Sequence, residues 1–361
     1  MKVNTMKLKT MSPTILSILF WCVALASSSP IPTLTTKLDP VRTVYQFPNN
    51  TYVENLAVRS NGQILVSILT SPLLYLFDSV QIGPPTLIHN FSASALAVSG
   101  IAEYQPDIFA VITGNVSFAT NSVGAGTWAV WSVDLRGVES QPDNTLYPPP
   151  RIDKIADIPE ASFLNGMTLL SQEKGTLLVG DIVGGNIVKL AVKTGAYKVV
   201  INNTFTATGS TPAAGVDGLH VRDGFVYVAN FGKFLFAKIP IDGDGMPTGN
   251  GTLIAHTPAL GDQFDDFTFD RHGNAYLVTG AGNSVERISP DGSRQVIIAG
   301  SENSTAIAEP TSAAFGRGEF DKHVLYVTTG GGFAVHLPGN PIVGGQLVAI
   351  TTDAEGVDPL W

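Results

Sequence analysis

Six segments of the sequence open on an oxygen-bearing side chain, continue with a small or polar residue, and run into a short hydrophobic stretch. They are Glu54-Asn55-Leu56-Ala57-Val58, Ser99-Gly100-Ile101-Ala102-Glu103, Asn165-Gly166-Met167-Thr168-Leu169, Asp217-Gly218-Leu219-His220-Val221, Asp265-Asp266-Phe267-Thr268-Phe269 and Thr311-Ser312-Ala313-Ala314-Phe315. If one fold sets the six first residues around a common axis, three carboxylates and three neutral oxygen-bearing groups converge. Such a ring suits a hard cation such as Ca²⁺, or the acid–base handling of a polar substrate. Any one of these residues can equally cap its own strand by bonding the adjacent turn. Convergence of all six on one axis is a poor use of caps and favours a site.

A second group of candidates is apolar. Phe118, Trp128, Phe163, Phe231, Phe234 and Phe333 fall in expected loops, where they can line a pocket or pack between sheets. Asn230 and Lys233 flank Phe231 and Gly232 and can donate to a substrate oxygen. The histidines at 89, 220, 256, 272, 323 and 336 lack metal-ligand spacing. His220 alternates with Leu219 and Val221 on an expected inner strand, so it can face the channel as an acid or base, although a lone strand histidine is more often structural. No Gly-x-Ser-x-Gly elbow or phosphate loop occurs, and Gly330-Gly331-Gly332 reads as a hairpin turn.

The elements that must position these residues are strands. Short β-branched and aromatic runs recur, bounded by turn pairs such as Asp223-Gly224 and Asp291-Gly292, while helical periodicity is nearly absent. The six segment starts are 45, 66, 52, 48 and 46 residues apart, the spacing of four-stranded propeller blades. The long interval holds a Gly/Asn/Ser-rich stretch from Gly114 to Gly126 and the run Pro148-Pro149-Pro150, both read as loops. The last blade is one strand short, and Arg42 to Phe47 can supply its outer strand. The expectation is an all-β, single-domain, six-bladed β-propeller over residues 27–361, its ring closed by an N-terminal strand in the last blade.

Residues 1–26 read as a secretory signal peptide. Lys2, Lys7 and Lys9 precede the apolar run from Ile15 to Val23, which is too short to span a bilayer, and Ala24-Leu25-Ala26 supplies the small-x-small cleavage pattern. The only cysteine, Cys22, would leave with it, which excludes thiol nucleophiles, thiolate metal sites and disulfides. Six Asn-x-Ser/Thr sequons, at Asn49, Asn90, Asn115, Asn202, Asn250 and Asn303, agree with passage through the secretory pathway or an extracellular location. The 361 residues carry 21 basic and 30 acidic side chains, net −9, which disfavours a nucleic-acid or anionic-membrane partner.

The motifs Val53-Glu54, Leu164-Asn165-Gly166-Met167, Val216-Asp217-Gly218-Leu219 and Asp270-x-x-Gly273-Asn274-x-Tyr276 resemble the regucalcin/gluconolactonase-like six-bladed propellers over essentially the whole mature chain. That resemblance implies a divalent metal held by Glu54, Asn165 and Asp217. In blade two the family's Arg-Pro-Asn/Asp-type contact is replaced by Val98-Ser99-Gly100. With Phe264-Asp265-Asp266-Phe267 and Glu309-Pro310-Thr311-Ser312, the chain is most similar to the fungal secreted hetero-Diels-Alderases of tropolone–sesquiterpenoid biosynthesis. This narrower resemblance implies a cofactor-free pericyclase that joins a tropolone-type quinone methide to a polyene such as humulene, one polar aromatic and one hydrocarbon partner. Asp217, Glu54, Asn165 and Asp265 are its candidate catalytic residues, with Ser99, Thr311, Asn230, Phe231, Lys233 and Trp128 as candidate substrate contacts. The alternatives are a metal-dependent lactonase and a non-catalytic ligand-binding propeller.

Overall fold

The computed structural model describes residues 39–78, 83–120, 122–257, 262–335 and 342–358. The expected signal peptide, Cys22 and His336 lie outside the described residues. Six four-stranded antiparallel sheets follow one another along the chain, and their innermost strands are Val53–Val58, Ala97–Gln105, Leu164–Ser171, Val216–Arg222, Phe264–Phe269 and Pro310–Phe315. Each opens on a segment identified in the sequence. Successive inner strands pack against one another, the sixth against the first, so the sheets are the blades of a six-bladed propeller. The core lies between blades, where inward-facing Val, Ile, Leu and Phe side chains of neighbouring sheets are buried.

The first and last of the described strands meet in the sixth sheet. Val41–Gln46 pairs antiparallel with Gln346–Thr351, from Val41 opposite Ile350 to Gln46 opposite Gln346, with a one-residue bulge between Thr43 and Tyr45. This strand starts and stops one residue earlier than the sequence indicates.

The stretch from Gly114 to Gly126 is not a loop. It extends the second and third strands of blade two, Ile108–Ser117 and Ser122–Asp134, into a long hairpin paired as far as Ser117 and Ser122. Its glycines lie in strands because the paired backbone holds them where their propensity does not. Phe118 is carried at its tip. The Pro148–Pro150 run does lie outside the strands, after a cis Tyr147–Pro148 bond.

Every inner strand is irregular at the same place. Between Val53 and Leu56 three steps oppose two on the neighbouring strand, and the same one-residue excess occurs at Val98/Ile101, Leu164/Met167, Val216/Leu219, Phe264/Phe267 and Pro310/Ser312. A β-bulge of this kind re-aims the side chains of the extra residues. The six bulges contain the six candidate first residues, so the recurring pair in the sequence is the signature of a bulge. In blades two, three and four its second member is glycine for a steric reason. A Cβ on Gly100 would lie 2.1 Å from the Asn165 carbonyl oxygen, and one on Gly166 2.2 Å from that of Asp217.

Candidate functional site

The bulges bring Glu54, Asn165, Asp217 and Asp265 together at the upstream end of the channel, all buried. The Asn165 side-chain amide donates to Asp217 Oδ1 at 2.5 Å. Glu54 Oε2 and Asn165 Oδ1 are buried and have no hydrogen-bond partner. Burial is the largest cause pushing up the carboxyls, and their mutual repulsion adds to it. Asp217 is raised to about 8 by burial and then by the charge of Asp266, with the Asn165 amide working the other way. Glu54 is held well above the usual carboxylate range by burial, Asp217 and Asp266. Asp265 is raised by burial and by four neighbouring carboxylates. Such a cluster holds protons at neutral pH and can donate them.

Ser99 and Thr311 serve a different purpose. The Ser99 hydroxyl donates to the Leu164 carbonyl of the next blade at 3.0 Å, and that of Thr311 to the Val53 carbonyl at 2.9 Å. Both are buried staples between blades. Asn230 is buried too, and its side chain caps the turn Phe231–Lys233: it accepts from the Lys233 amide and donates to the carbonyls of Phe205 and Ala207. Lys233 Nζ donates to the Thr204 carbonyl at 2.7 Å. The donors of this turn are thus engaged in holding its shape.

Most of the aromatic candidates pack into one cluster with Tyr52, which neighbours the acids, and Trp128 and Phe163 are buried within it. Tyr52 stacks on Phe118 with centroids 5.6 Å apart, and Phe118 meets Phe333 at 5.1 Å. Trp128 stacks on Phe163 at 4.7 Å, with its indole N–H bonded to the Ser162 carbonyl. These residues and Phe231 join one hydrophobic cluster; Phe234 instead occupies the left-handed position closing the short helical turn.

Two participants, Tyr52 and Glu309, lie outside the six recurring segments. Tyr52, two residues before Glu54, feels the charges of Glu309, Asp265, Glu54 and Asp217, which, after burial, hold its hydroxyl protonated. Glu309 stands just before the sixth bulge; its carboxylate accepts from the amides of Val335 at 2.9 Å and Ala334 at 3.1 Å, and burial raises it to about 8. It anchors the segment that carries Phe333. The available signal was position: both lie immediately upstream of a bulge.

Below the first residues, the second residues of blades one, five and six form a septum. Asp266 Oδ2 accepts from Asn55 Nδ2 at 3.1 Å and from Ser312 Oγ at 2.8 Å. Asp266 also packs where a side chain of Gly218 would stand. Asn55, Asp266 and Ser312 also line a cavity of about 540 Å³ formed by the downstream halves of all six inner strands, whose lining does not include Glu54, Asn165, Asp217 or Asp265. His220 belongs to that cavity and not to the acid cluster.

Metal chemistry has a limited donor set at the acid cluster. Among the described residues no three His, Cys, Asp or Glu side chains are grouped as ligands. A cation there would need the Asn165 amide oxygen beside Glu54 and Asp217, and the two unpartnered oxygens, Glu54 Oε2 and Asn165 Oδ1, are chemically suited to it.

No family model matches the chain. A protein of Phoma sp named by inference as a hetero-Diels-Alderase is 30% identical over 332 residues, covering 83% of this chain and 90% of the relative. Another so named, from Sarocladium schorii, is 26% identical over 326 residues, covering 80% and 78%. Among solved structures, a luciferin-regenerating enzyme superposes with a TM-score of 0.63 at 17% identity, covering 88% of this chain and 97% of that one. A regucalcin from Agrobacterium tumefaciens gives 0.57 at 14%, with the same coverage. Those two likenesses establish the regucalcin-like fold. The sequence relationship to the Phoma sp protein, spread over nine-tenths of its length, goes further: the chain belongs to the hetero-Diels-Alderase family.

Proposed function

We propose that the protein is a cofactor-free pericyclase that forms a tropolone-type quinone methide and joins it to a sesquiterpene polyene such as humulene. The observation that carries this reading is the buried acid cluster of Glu54, Asp217 and Asp265 beside Tyr52, which stacks on Phe118, in a chain related to proteins named for that reaction. A hydroxymethyl tropolone becomes a diene by losing water. A protonated carboxyl gives its proton to the leaving hydroxyl, the carbon–oxygen bond breaks, and the ring hydroxyl returns a proton to the carboxylate. The cycloaddition then forms one carbon–carbon and one carbon–oxygen bond with no atom gained or lost. Its demand on the protein is geometric, and holding two partners in reacting orientation is worth about 7–11 kcal/mol. The hydrocarbon offers nothing to hydrogen-bond, so the aromatic surface must select its face.

The test is to incubate the protein with a hydroxymethyl tropolone and humulene and to measure adduct formation and its stereochemistry. A single stereoisomer formed faster than in buffer is expected; a rate and product mixture equal to buffer refute the reading. A second reading, a metal-dependent lactonase, is favoured by the unpartnered Glu54 Oε2 and Asn165 Oδ1. A divalent cation there would polarise a substrate carbonyl. Activity that vanishes with a chelator and returns with Ca²⁺ supports that alternative; the pericyclase keeps its rate in chelator.

We also infer export through the secretory pathway with glycosylation. In support, Asn49, Asn90, Asn202, Asn250 and Asn303 are exposed, while Asn115 is half-buried on the long hairpin and bonded to the Leu96 amide.

A further inference from the structure

Glu309 puts every polar group it has into a bond. Its amide donates to Asn283 Oδ1 at 2.7 Å, and its carbonyl accepts from the Gly330 amide at 2.7 Å. Its carboxylate spans two consecutive amides, Oε1 accepting from Val335 at 2.9 Å and Oε2 from Ala334 at 3.1 Å. The residue is buried and holds φ at +56°, in the left-handed region that residues other than glycine rarely adopt. Strain of this kind persists only where the surrounding contacts over-determine it, and it concentrates at functional sites. Asn283 is fixed in turn by the carbonyls of Ala281 and Glu302, so the anchor reaches back into blade five.

The clasped segment leads directly to the aromatic cluster. A Cβ on Gly330 would stand 2.5 Å from Tyr52 Cε2 and 2.7 Å from Glu309 Oε2, so the segment passes against both. Phe333 lies between the bond at Gly330 and the clasped amides, and its ring meets Phe118, which stacks on Tyr52. Only an ionised carboxylate accepts at both oxygens; a glutamine there turns its NH₂ toward one of the two amides. Burial raises the Glu309 carboxyl to about 8, while the amides of the segment pull it down. Tyr52, at the start of blade one, and Asp265, of blade five, feel its charge, and Gly330 to Val335 carry no titratable side chain. The clasp therefore tightens as pH rises through about 8.

We propose that Glu309 is a specificity-determining positioning residue: by clasping the Ala334 and Val335 amides it sets Phe333 against Phe118, and through that ring it selects the face on which the hydrocarbon reacts. The proposal rests on the cycloaddition inferred above.

The experiment gives the full chain a pre-formed quinone methide and humulene between about pH 6.5 and pH 9.5, so that dehydration plays no part. Chiral chromatography reads the stereoisomer ratio, and hydrogen exchange reads the protection of the Ala334 and Val335 amides. In the parent both should rise as pH passes about 8. In Glu309→Gln the ratio should fall about fivefold or more at high pH and the protection about tenfold, each now flat with pH. Phe333→Ala should lose selectivity as well, and adding Glu309→Gln to it should lower the ratio no further. Melting curves establish that each variant is folded; if Glu309→Gln is not, a ratio that rises with pH in the parent and stays flat in Phe333→Ala decides the matter. The proposal is overturned by parent selectivity that ignores pH, by unaltered selectivity or amide protection in Glu309→Gln, or by an equal loss from Glu309→Gln with and without Phe333. A parent that forms adduct no faster than buffer refutes the reaction and the stereochemical role with it. Selective turnover that ignores both Glu309→Gln and pH refutes the role of Glu309 alone.

Discussion

At Asp217 the burial that encloses the site also sets the proton. Its carboxyl, raised to about 8 by burial and the Asp266 charge, is largely protonated at neutral pH and hydrogen-bonded to Asn165. Asp217→Asn removes the proton and keeps the shape, so formation of the diene should slow by about 10²–10⁴-fold, the usual contribution of a general acid. Supplying a pre-formed quinone methide should restore the rate, and a variant still impaired with that substrate has lost pocket shape instead. In the parent enzyme the dehydration rate should fall as pH rises through about 8. Stability follows the same proton. A carboxyl whose folded pKa lies above its unfolded value stabilises the fold fully below the unfolded pKa, and that contribution is lost as pH rises toward the folded one. The melting temperature should therefore drop between about pH 5 and pH 9, less steeply in Asp217→Asn; equal slopes would dissociate Asp217 from the effect. Glu54, Asn165, Asp217 and Asp265 were legible because they recur at blade spacing. Tyr52 and the Asn55–Asp266–Ser312 septum were not, because they are assembled by contacts between blades that no single repeat contains, and Glu309 was not, because its carboxylate binds a loop of its own blade that the repeat does not include.

Among the elements, the bulged inner strand explains why the repeat was readable. Its first residue joins the acid cluster in blades one, three, four and five and staples neighbouring blades in two and six, and its second must be small where the adjoining blade's backbone approaches. Gly166→Ala forces a Cβ to within 2.2 Å of the Asp217 carbonyl oxygen, and backbone cannot rotate aside as a side chain can. Overpacking of this kind costs about 1–3 kcal/mol, so urea denaturation should show a clear loss, and dehydration should suffer with it because Asp217 moves. A variant as stable and active as the parent would show that the bulge is free to shift. The long hairpin was the element least visible in the sequence, since Gly, Asn and Ser are turn formers everywhere except in a ladder that already pairs them. Its tip places Phe118 between Tyr52 and Phe333. Phe118→Ala should leave dehydration within about threefold and erode the stereoselectivity of the adduct, because only the hydrocarbon depends on that surface. Product analysis by chiral chromatography reads the outcome; undiminished selectivity would remove that surface from the mechanism.

For the whole molecule the decisive contact is the sheet in which the first and last described strands pair. Val41–Gln46 covers the outer edge of Gln346–Thr351, a strand buried along five of its six residues. Two more links tie the ends to blade five: the Asp39 amide donates to the Ile298 carbonyl at 2.7 Å, and the Arg271 amide to that of Glu355 at 2.9 Å. A propeller blade without its outer strand exposes a row of unpaired backbone groups, which templates association with other chains. It also removes the cover from Phe47, Tyr326 and Leu347, which share one hydrophobic cluster with Val44 and Tyr45. A chain beginning at Phe47 should therefore melt roughly 10 °C lower or more, since losing such a strand costs several kcal/mol and each moves the midpoint by about 2–4 °C in a large domain. It should also associate in a concentration-dependent way, whereas a chain beginning at Asp39 keeps both the midpoint and the monomer–oligomer balance of the longer protein. Adding a peptide of residues 39–48 separates two causes. Recovery of the midpoint shows that the deficit is the missing strand pairing. If the shortened chain melts with the parent and does not associate, the six sheets hold one another without that strand, and the stability of the propeller resides in the contacts between inner strands alone.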